Sequence, residues 1–534
     1  MSALSTSNPS RWLALGCVAL GLSLIVLDET VVNAALPILT ADLNLSAYEA
    51  EWIDSAYALA FASLLIFFGQ LADRYGRKRL FLLGLAVFLA ASAGVAASDA
   101  SSWFILARAL QGCGAAIILP TSLALINSLY QGRDRIIAFS VWGGTIGSVA
   151  ALGPLVGAVL ITYHSWHWAF AINVPIGCLA FVATWFCIPE SRSEAKDKGF
   201  DALGAALVTF ALFAVIFAII EGGRFGFFVQ REPFVVGSWI WPTTTLPITA
   251  FLAVMGLASI VALVSVEKSR LNEGKLVVIN LNLFRSRSFS AGNVVALVVS
   301  LGEFGILFTL PLFLELAGGY DLLQTGIILF TMAGGVIIAA ATGPTLSQRV
   351  GATRTLQLGL TLEIAGISGL ALFLQSTMTG WEMTPWLITY GLGIGYATGQ
   401  LAGIILSDVP SAESGAAGAF QSTSRQIGAA LGTAVLGTTL VFGLGSAAQS
   451  LEAAGVPSDQ AQEISQEIQD SGGEIIPELS SESEGLELVQ VATEVFTTSF
   501  TSVIWVAVAI LCFGLLISFL IPKNAARKIW KSQI

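Results

Sequence analysis

Long apolar runs separated by short polar stretches make up almost the whole of this 534-residue chain. A helix needs about 20 apolar residues to cross the roughly 30 Å of hydrocarbon in a bilayer. Runs of that length predict fourteen membrane-spanning helices. They fall at about 12–37, 48–72, 78–97, 102–126, 136–162, 167–188, 201–221, 244–266, 288–317, 323–347, 351–375, 383–407, 414–443 and 496–521.

The composition agrees with this pattern. Hydrophobic residues make up 55% of the chain and charged residues only 11%, whereas soluble globular domains carry about 25% charged residues. An ordinary soluble protein is therefore excluded. The first apolar run contains Asp28 and Glu29 and is longer than the core of a cleavable signal peptide, so we expect it to be a retained span.

The basic residues predict how the chain is oriented. An even number of spans places both termini on one side. Of the 25 Lys and Arg residues, 21 fall at the N-terminus, in the loops after even-numbered spans or in the C-terminal tail. Basic residues collect on the cytoplasmic side of a membrane protein, so both termini are predicted to be cytoplasmic.

The two halves of the sequence repeat each other. An offset of 275 residues aligns Gly351 with Gly76, but it places Gln348 where the first half has Asp73. Such a repeat is typical of transporters whose two bundles are related by a pseudo-twofold axis, with the substrate path between them near the membrane midplane.

We therefore predict an all-α integral membrane protein built from two six-helix bundles, 1–190 and 276–534. Spans seven and eight form an inserted helix pair within 191–275. The best linker candidates are the polar connectors 191–200 and 267–275.

The segment 444–495 is acidic and too polar to cross a bilayer. Eleven of the 35 acidic residues lie between positions 452 and 494, so the net charge of -10 is largely local. Two alternatives remain for this external segment: a short amphipathic hairpin, or a loop without regular structure.

A glycine-punctuated, charged loop joins the second and third spans. Gly69 and Gly76 allow close approach of the backbone, and Asp73 can cap a helix or pair with a neighbouring arginine. Arg74 and Arg77 help to hold the loop on the cytoplasmic side. We predict that these residues form a tight turn on the cytoplasmic side and treat them as candidate functional residues.

Ionisable residues inside spans cost about 2.5 kcal/mol or more each, so each is a functional candidate. In the first half these are Asp28, Glu29 and Asp54, together with Arg108 and Gln111, which share one helix face. The alternatives are a structural helix contact for the Asp28 and Glu29 pair, an interfacial position for Asp54 and a purely structural salt bridge for Arg108.

The second half offers three further candidates for proton coupling or substrate binding. Glu303 and Glu363 lie about halfway across spans nine and eleven, and Arg425 could be the counter-charge of either acid. Glu315 lies near the outer end of span nine and is expected to be hydrated.

Span five is rich in glycine. Gly147, Gly153, Pro154 and Gly157 permit close helix packing and a bend, which suits a seam between bundles that open and close.

Several kinds of site are not expected. The sequence has no phosphate-binding loop for direct ATP hydrolysis and no nucleophile elbow, and its two histidines, His164 and His167, flank an external loop. We expect no enzymatic activity, metal, cofactor or nucleic-acid partner. The five cysteines have no ligand-like spacing and are expected to be buried small apolar residues.

Five strings resemble signatures of the major facilitator superfamily, and four of them those of its fourteen-span drug:proton antiporters. They are the loop 69–79 (G-x-L-a-D-R-x-G-R-K), 27–37 (L-D-x-T-V-V-N-x-A-L-P), 108–114 (R-x-x-Q-G-x-G), 143–157 (the antiporter motif) and 166–177 (W-R-W-x-F-x-I-N-V-P-x-G).

This resemblance implies alternating access, in which protons move inward as a lipophilic, often cationic compound leaves. It also implies roles for individual residues: coupling for Asp28, a proton relay for Arg108 and Gln111, a conformational seam for Gly153, Pro154 and Gly157, and a latch for Asp73. The sequence departs from the family pattern at His167, which replaces an arginine, and at Gln348, which removes the second latch acid.

The predicted function is a proton-coupled multidrug exporter of amphipathic small molecules in the bacterial cytoplasmic membrane, acting as a monomer. One alternative is a dedicated exporter of an endogenous metabolite such as an amino acid, siderophore, antibiotic or lipid. Another is a membrane receptor or assembly factor that does not transport.

Overall fold

The structure is a computed structural model that describes residues 9–43, 45–98, 100–192, 201–236, 239–242, 246–375, 378–410, 413–476, 479 and 485–522. Its helices are α1 (Pro9–Asp42), α2 (Ala47–Tyr75), α3 (Arg77–Ala96), α4 (Ser101–Leu129), α5 (Gly132–Tyr163), α6 (Trp166–Ala171), α7 (Asn173–Cys187), α8 (Ala202–Ile220), α9 (Gly222–Phe225), α10 (Ile248–Asn272), α11 (Arg287–Leu312), α12 (Leu322–Val350), α13 (Ala352–Phe373), α14 (Gly380–Ile405), α15 (Ser414–Leu444), α16 (Ala447–Ala453), α17 (Ser458–Asp470) and α18 (Gly485–Ser518). Two short strands, β1 (Val235–Val236) and β2 (Trp239–Ile240), pair antiparallel between α9 and α10.

The helices confirm the predicted fold class of an all-α membrane protein. In the part of the chain that the structure describes, thirteen helical segments are long and apolar enough to cross a membrane. The predicted span at 383–407 corresponds to α14, which is 26 residues long but is not among the thirteen. The helix contains six glycines and Glu382, and the count of fourteen stays a prediction.

Four predicted boundaries are wrong by more than a few residues or miss a break. Helix α1 continues to Asp42, so the proline at position 37 does not end it. The predicted sixth span is two helices, α6 and α7, which meet at Ile172. The last long helix begins at Gly485 rather than near 496, and α10 runs to Asn272, so it includes most of the connector predicted at 267–275. The other predicted connector, from position 193 on, lies outside the described residues.

The backbone supports the repeat between the halves. Gly76 ends α2 with φ +117° and Gly351 ends α12 with φ +98°, a backbone conformation that favours glycine. Each glycine is followed directly by the next long helix, α3 or α13. The offset of 275 residues therefore relates equivalent helix-to-helix turns.

Helix contacts follow the two halves of the chain. Most of the helices from α1 to α7 pack chiefly on one another, as do α11 to α15 with α18. Helix α5 is the exception, because it packs more on α12 and α14 than on its own half, and α2 also packs against α15. Helices α8 and α10 pack together, and α8 lies beside α2. These contacts are compatible with two bundles and an inserted pair, and the boundaries at 190 and 275 stay a prediction.

Glycines allow the closest helix approaches. In a bilayer the lipid is as apolar as the helix surfaces, so helices associate largely through close packing at small residues. Gly428 and Gly432 lie one turn apart on α15, and a Cβ on them would lie only 2.2 Å and 2.3 Å from the backbone oxygens of Leu297 and Leu301 on α11. Larger residues at these positions would push the two helices apart.

The acidic segment after α15 contains two short helices. Helices α16 and α17 pack on each other, and α17 buries Ile464 and Ile468 while its other face stays polar. This arrangement is the amphipathic hairpin rather than a loop without structure. Residues 485–495 belong to α18 instead.

The five cysteines are free thiols. Cys17 is buried as expected, but Cys178 is exposed, because it lies on the face of α7 that no neighbouring helix covers.

Two adjacent glycines on α12 provide a test of this packing. A Cβ at Gly335 would lie 2.3 Å from the backbone oxygen of Ile388 on α14, whereas one at Gly334 would meet nothing within 4 Å. We expect Gly335→Ala to destabilise the protein by about 1–3 kcal/mol through overpacking. Gly334→Ala should be neutral or slightly stabilising, since alanine favours a helix. Thermal unfolding of both variants in detergent checks this; equal stability of the two would contradict the α12 and α14 contact.

Candidate functional site

Asp28 on α1 forms the centre of a buried polar network in the first half. Its side chain is 1% exposed and accepts hydrogen bonds from Arg108 Nη1, from Gln111 Nε2 at 2.9 Å and from Asn173 Nδ2 at 2.8 Å. Arg108 and Gln111 lie one turn apart on α4, and Asn173 begins α7 at the break after α6. The structure thus brings three of the predicted residues together and adds Asn173, which was not singled out although it lies within the string 166–177.

The Arg108 guanidinium is fully buried and surrounded by acceptors. Its Nε donates to the backbone oxygen of Ile53 at 3.1 Å, its Nη1 also donates to Gln111 Oε1, and its Nη2 lies 3.6 Å from Asp54 Oδ1. The guanidinium carbon also lies 4.3 Å from the centre of the Tyr57 ring, where a cation is attracted to the aromatic face. Arg108 therefore links α4 to both α1 and α2.

Glu29 and Asp54 line a space that water can enter. The Asp54 side chain is 49% exposed and Glu29 is partly exposed, although protein surrounds both carboxylates. Glu29 lies within electrostatic reach of Arg108 in the first half and of Arg425 in the second. We infer that both acids lie on the wall of a cavity between the two halves, so Asp54 is not simply interfacial.

Glu303 on α11 is the centre of a second cluster. It is 4% exposed, and its carboxylate accepts a hydrogen bond from Thr398 Oγ1 at 2.9 Å and a longer one from Arg425 Nη2 at 3.4 Å. The offset of 275 that aligns the halves also aligns Asp28 with Glu303. The paired arginines do not correspond, because Arg108 lies on the fourth helix of its half and Arg425 on the fifth.

Glu363 on α13 lies beside this cluster but outside its hydrogen bonds. It is fully buried, and in the described structure neither of its oxygens has a partner. It lies within electrostatic reach of Glu303 and Arg425. Of the two acids predicted to use Arg425, only Glu303 bonds to it.

Glu315, by contrast, lies at the end of α11 and is partly exposed, in agreement with the hydrated position expected for it.

The loop after α2 binds the start of α15. Asp73 Oδ1 accepts from Arg77 Nε at 3.0 Å and from its Nη2 at 2.7 Å, while Oδ2 accepts from the backbone N–H of Gly415 at 2.9 Å. Arg77 Nη2 also donates to Ser414 Oγ at 3.0 Å. Gly69 fits against the backbone of Gly415, where a side chain would not. We call the end of the molecule that carries Asp73 and Arg77 the basic end.

The rest of the loop faces the end of α7. The Glu190 carboxylate accepts from the backbone N–H groups of Lys78 and Arg79, where it stabilises the positive start of α3. Gly76 allows this contact, since a Cβ there would lie 2.7 Å from Glu190. Arg74 is placed over the ring of the adjacent Tyr75 and takes no part in the ion pair of Asp73 with Arg77. Sequence reasoning missed Glu190, although it precedes a polar stretch at the end of a span.

Part of the glycine-rich stretch of α5 lies between the halves. Gly147 packs against Val336 on α12, and the backbone at Pro154 lies against Gly326 at the start of α12. Gly153 instead faces Thr30 on α1, within the first half, and Gly157 is buried. Of the predicted seam, Gly147 and Pro154 therefore contact the second half, whereas Gly153 contacts α1.

Polar contacts close the basic end. Gln400 Nε2 donates to Ser140 Oγ at 3.2 Å, and Arg135 Nη2 donates to the backbone oxygen of Leu406 at 2.7 Å. Together with the contacts of Asp73, they join α2 and α5 to α14 and α15. Asp54 lies nearer the opposite end, which begins α2. The exposed carboxylate of Asp54 therefore lies toward the end opposite these contacts.

Metal-ligand clusters were also sought. Throughout the residues whose structure is described, no group of three or more His, Cys, Asp or Glu is placed to hold a metal ion.

Comparisons with known proteins bear on the family of the chain. A model of the Major Facilitator Superfamily matches residues 18–433. The chain is 31% identical to a probable actinorhodin transporter of Streptomyces coelicolor, over 96% of this chain and 92% of that protein. It is 29% identical to the multidrug efflux pump LfrA of Mycolicibacterium smegmatis, over 81% of this chain and 82% of the other.

Among solved structures, the human organic anion transporter MFSD10 matches with a TM-score of 0.55 at 13% identity, over 95% of this chain and all of that one. At this identity the likeness concerns the fold alone.

The Asp28 and Arg108 pair can be tested with a double-mutant cycle. Arg108→Leu or Asp28→Leu alone should destabilise the protein by about 3–5 kcal/mol, because each leaves an uncompensated buried charge. The double variant should recover much of this loss, giving a coupling energy of about 2–3 kcal/mol in denaturation in mixed micelles. The exposed pair Arg224 and Glu232, 2.7 Å apart, is the control and should couple by less than about 1 kcal/mol. Additive losses at Asp28 and Arg108 would contradict the network.

The contacts of Asp73 predict how the basic end opens. Asp73→Asn removes the charge that holds Arg77, and a hydrogen bond to a charged group contributes about 1.5–3 kcal/mol. We expect the population open at this end to rise about tenfold or more. Distances between spin labels on the loop after α2 and on the start of α15 measure this. Arg79→Gln is the control, because Arg79 is 69% exposed and lies 3.7 Å from Glu190. Unchanged distances in the Asp73 variant would exclude a latch.

Proposed function

The chain belongs to the Major Facilitator Superfamily, and we propose that it exports amphipathic small molecules across a bacterial cytoplasmic membrane in exchange for protons. Both termini face the cytoplasm in this proposal, and the basic end is the cytoplasmic end. The transporter works as a monomer and has no enzymatic activity. Its relatives include a multidrug efflux pump and a probable actinorhodin transporter, which support this proposal.

The observation that carries the coupling part of this proposal is the buried Asp28 network. A carboxylate that is 1% exposed and holds a guanidinium changes its contacts when it gains a proton. Protonation of Asp28 removes the negative charge that attracts Arg108. Asp54 on the cavity wall is then the carboxylate that still attracts the guanidinium. One proton thus changes how α4 is tied to α1 and α2, which is a direct route from protonation to helix movement.

Alternating access then follows from the two ends. The contacts among Asp73, Arg77 and Gly415 support a closed basic end, which this proposal places in the cytoplasm with the cavity facing outward. Release of these contacts, with closure of the opposite end along α5 and α12, would present the same cavity to the cytoplasm. Substrate binds there from the cytoplasm, and a proton taken up from outside favours its release.

The cavity wall suits amphipathic compounds. Glu29 and Asp54 offer carboxylates to a cationic group, while the Tyr57 ring beside Arg108 offers an aromatic surface. A dedicated exporter of one metabolite is the second candidate. The named product of the Streptomyces coelicolor relative favours it, and the chain shares 31% identity with that protein.

Ethidium transport in everted vesicles tests the proposal. Acidifying the interior should accelerate ethidium uptake by about tenfold or more, and a protonophore should abolish the effect. Asp28→Asn should remove the response to the gradient. Glu494→Gln, at an exposed position of α18, is the matched control and should behave as wild type. Transport that ignores the pH gradient in the wild type would rule out proton coupling.

A further inference from the structure

Glu363 differs from the other buried acids of the two clusters because neither of its oxygens has a hydrogen-bond donor among the described residues. Asp28 accepts from three side chains and Glu303 from two. Glu363 is fully buried, and both of its oxygens lack a partner within the described part of the chain. An ionised carboxylate in such a place would lose its hydration with nothing in exchange, which costs several kcal/mol. The neutral, protonated carboxyl is the form that fits this environment.

The groups that interact electrostatically with Glu363 give the same answer. They are Glu303 on α11, Arg425 on α15 and the Tyr390 hydroxyl on α14. Arginine keeps its proton, so Arg425 supplies one positive charge to two carboxyl groups. With Glu303 ionised, the cluster is neutral only when Glu363 carries a proton.

The bond between Arg425 and Glu303 leaves the guanidinium free to move. It is a single contact of 3.4 Å, longer than a strong charged hydrogen bond, and Arg425 Nη1 is buried without a partner in the described structure. Asp28 in the first half is held by more bonds than Glu303. An ionised Glu363 would therefore compete with Glu303 for Arg425.

Glycine places Glu363 where α13 and α14 meet. A Cβ at Gly393 would lie 2.4 Å from the backbone N of Glu363 and 2.6 Å from its Cγ. The backbone of α14 therefore packs directly against Glu363, so that access to its carboxyl depends on how α13 and α14 are packed.

We propose that Glu363 binds a transported proton in the second half, and that Arg425 is shared between Glu303 and Glu363 according to whether Glu363 holds that proton. When the proton leaves Glu363 for cavity water, Arg425 moves toward the new carboxylate and loosens its hold on Glu303, so that α15 changes its contact with α11. The role in transport rests on the proposed function; the presence of the proton does not. Each half then has its own protonation site, Asp28 in the first and Glu363 in the second.

Infrared spectroscopy of the reconstituted full chain tests whether Glu363 holds a proton without any substrate. The carbonyl stretch of a protonated carboxyl is resolved from the amide band. At neutral pH the wild type should show this band. In Glu363→Gln its intensity should fall by the contribution of one carboxyl group, and in Glu494→Gln it should be unchanged. Glu363→Met serves as the second neutral variant if the amide destabilises the fold. A band of unchanged size in the Glu363 variants would overturn the proposal.

Transport measurements distinguish a Glu363 proton that is exchanged during the cycle from one that stays bound throughout it. In everted vesicles, Glu363→Gln should retain ethidium binding but lose the acceleration by an acid interior by about tenfold. Glu363→Asp should restore the response with a shifted pH midpoint. A full response in Glu363→Gln would show a permanently neutral packing residue and overturn the role in exchange. A wild type without any response would overturn the proposed function and this role together, while the infrared result still decides whether the proton is present.

Discussion

A guanidinium group keeps its proton even inside a membrane protein, so a buried arginine requires an acid on a helix that folds beside it. Arg108 meets this requirement with Asp28, and Arg425 meets it with Glu303. The first pair joins α4 to α1, and the second joins α15 to α11. Because an unmatched charge would be costly, these pairs fix which helices are neighbours, and the cavity, the latch and the seam are arranged around them.

The two halves satisfy this requirement in different ways. The same offset relates Asp28 to Glu303 and the turn at Gly76 to the turn at Gly351. However, the first acid has three donors and a paired arginine on α4, whereas the second has a looser bond to an arginine on α15. Duplication has thus preserved the backbone and the acid while the counter-charge changed helix. Differences of this kind allow each half to respond to protonation separately.

The sequence was sufficient to predict features that depend on the free energy of placing individual residues in the membrane. Apolar length located the helices, and the expense of charge in hydrocarbon singled out Asp28, Arg108 and Glu303. It was insufficient where tertiary packing decides. Asn173 and Glu190 contact residues distant in the chain, so no spacing reveals them. Likewise, Glu363 could be chosen as a candidate, but its lack of a hydrogen-bond donor depends on α11, α14 and α15.

Closure of the basic end bears on the side from which protons can reach the buried acids. Asp73 and Gly415 join the halves at one end, while the exposed Asp54 lies toward the other. Under the proposed function, a proton that reaches Asp28 in this conformation comes from that other side. Exchange of protons across the membrane therefore requires that the affinity of an acid and the closure of an end change together. Helix α15 can couple the protonation of an acid to the closure of the basic end. It begins beside Asp73 with Ser414 and Gly415, and it carries Arg425 less than three turns further along.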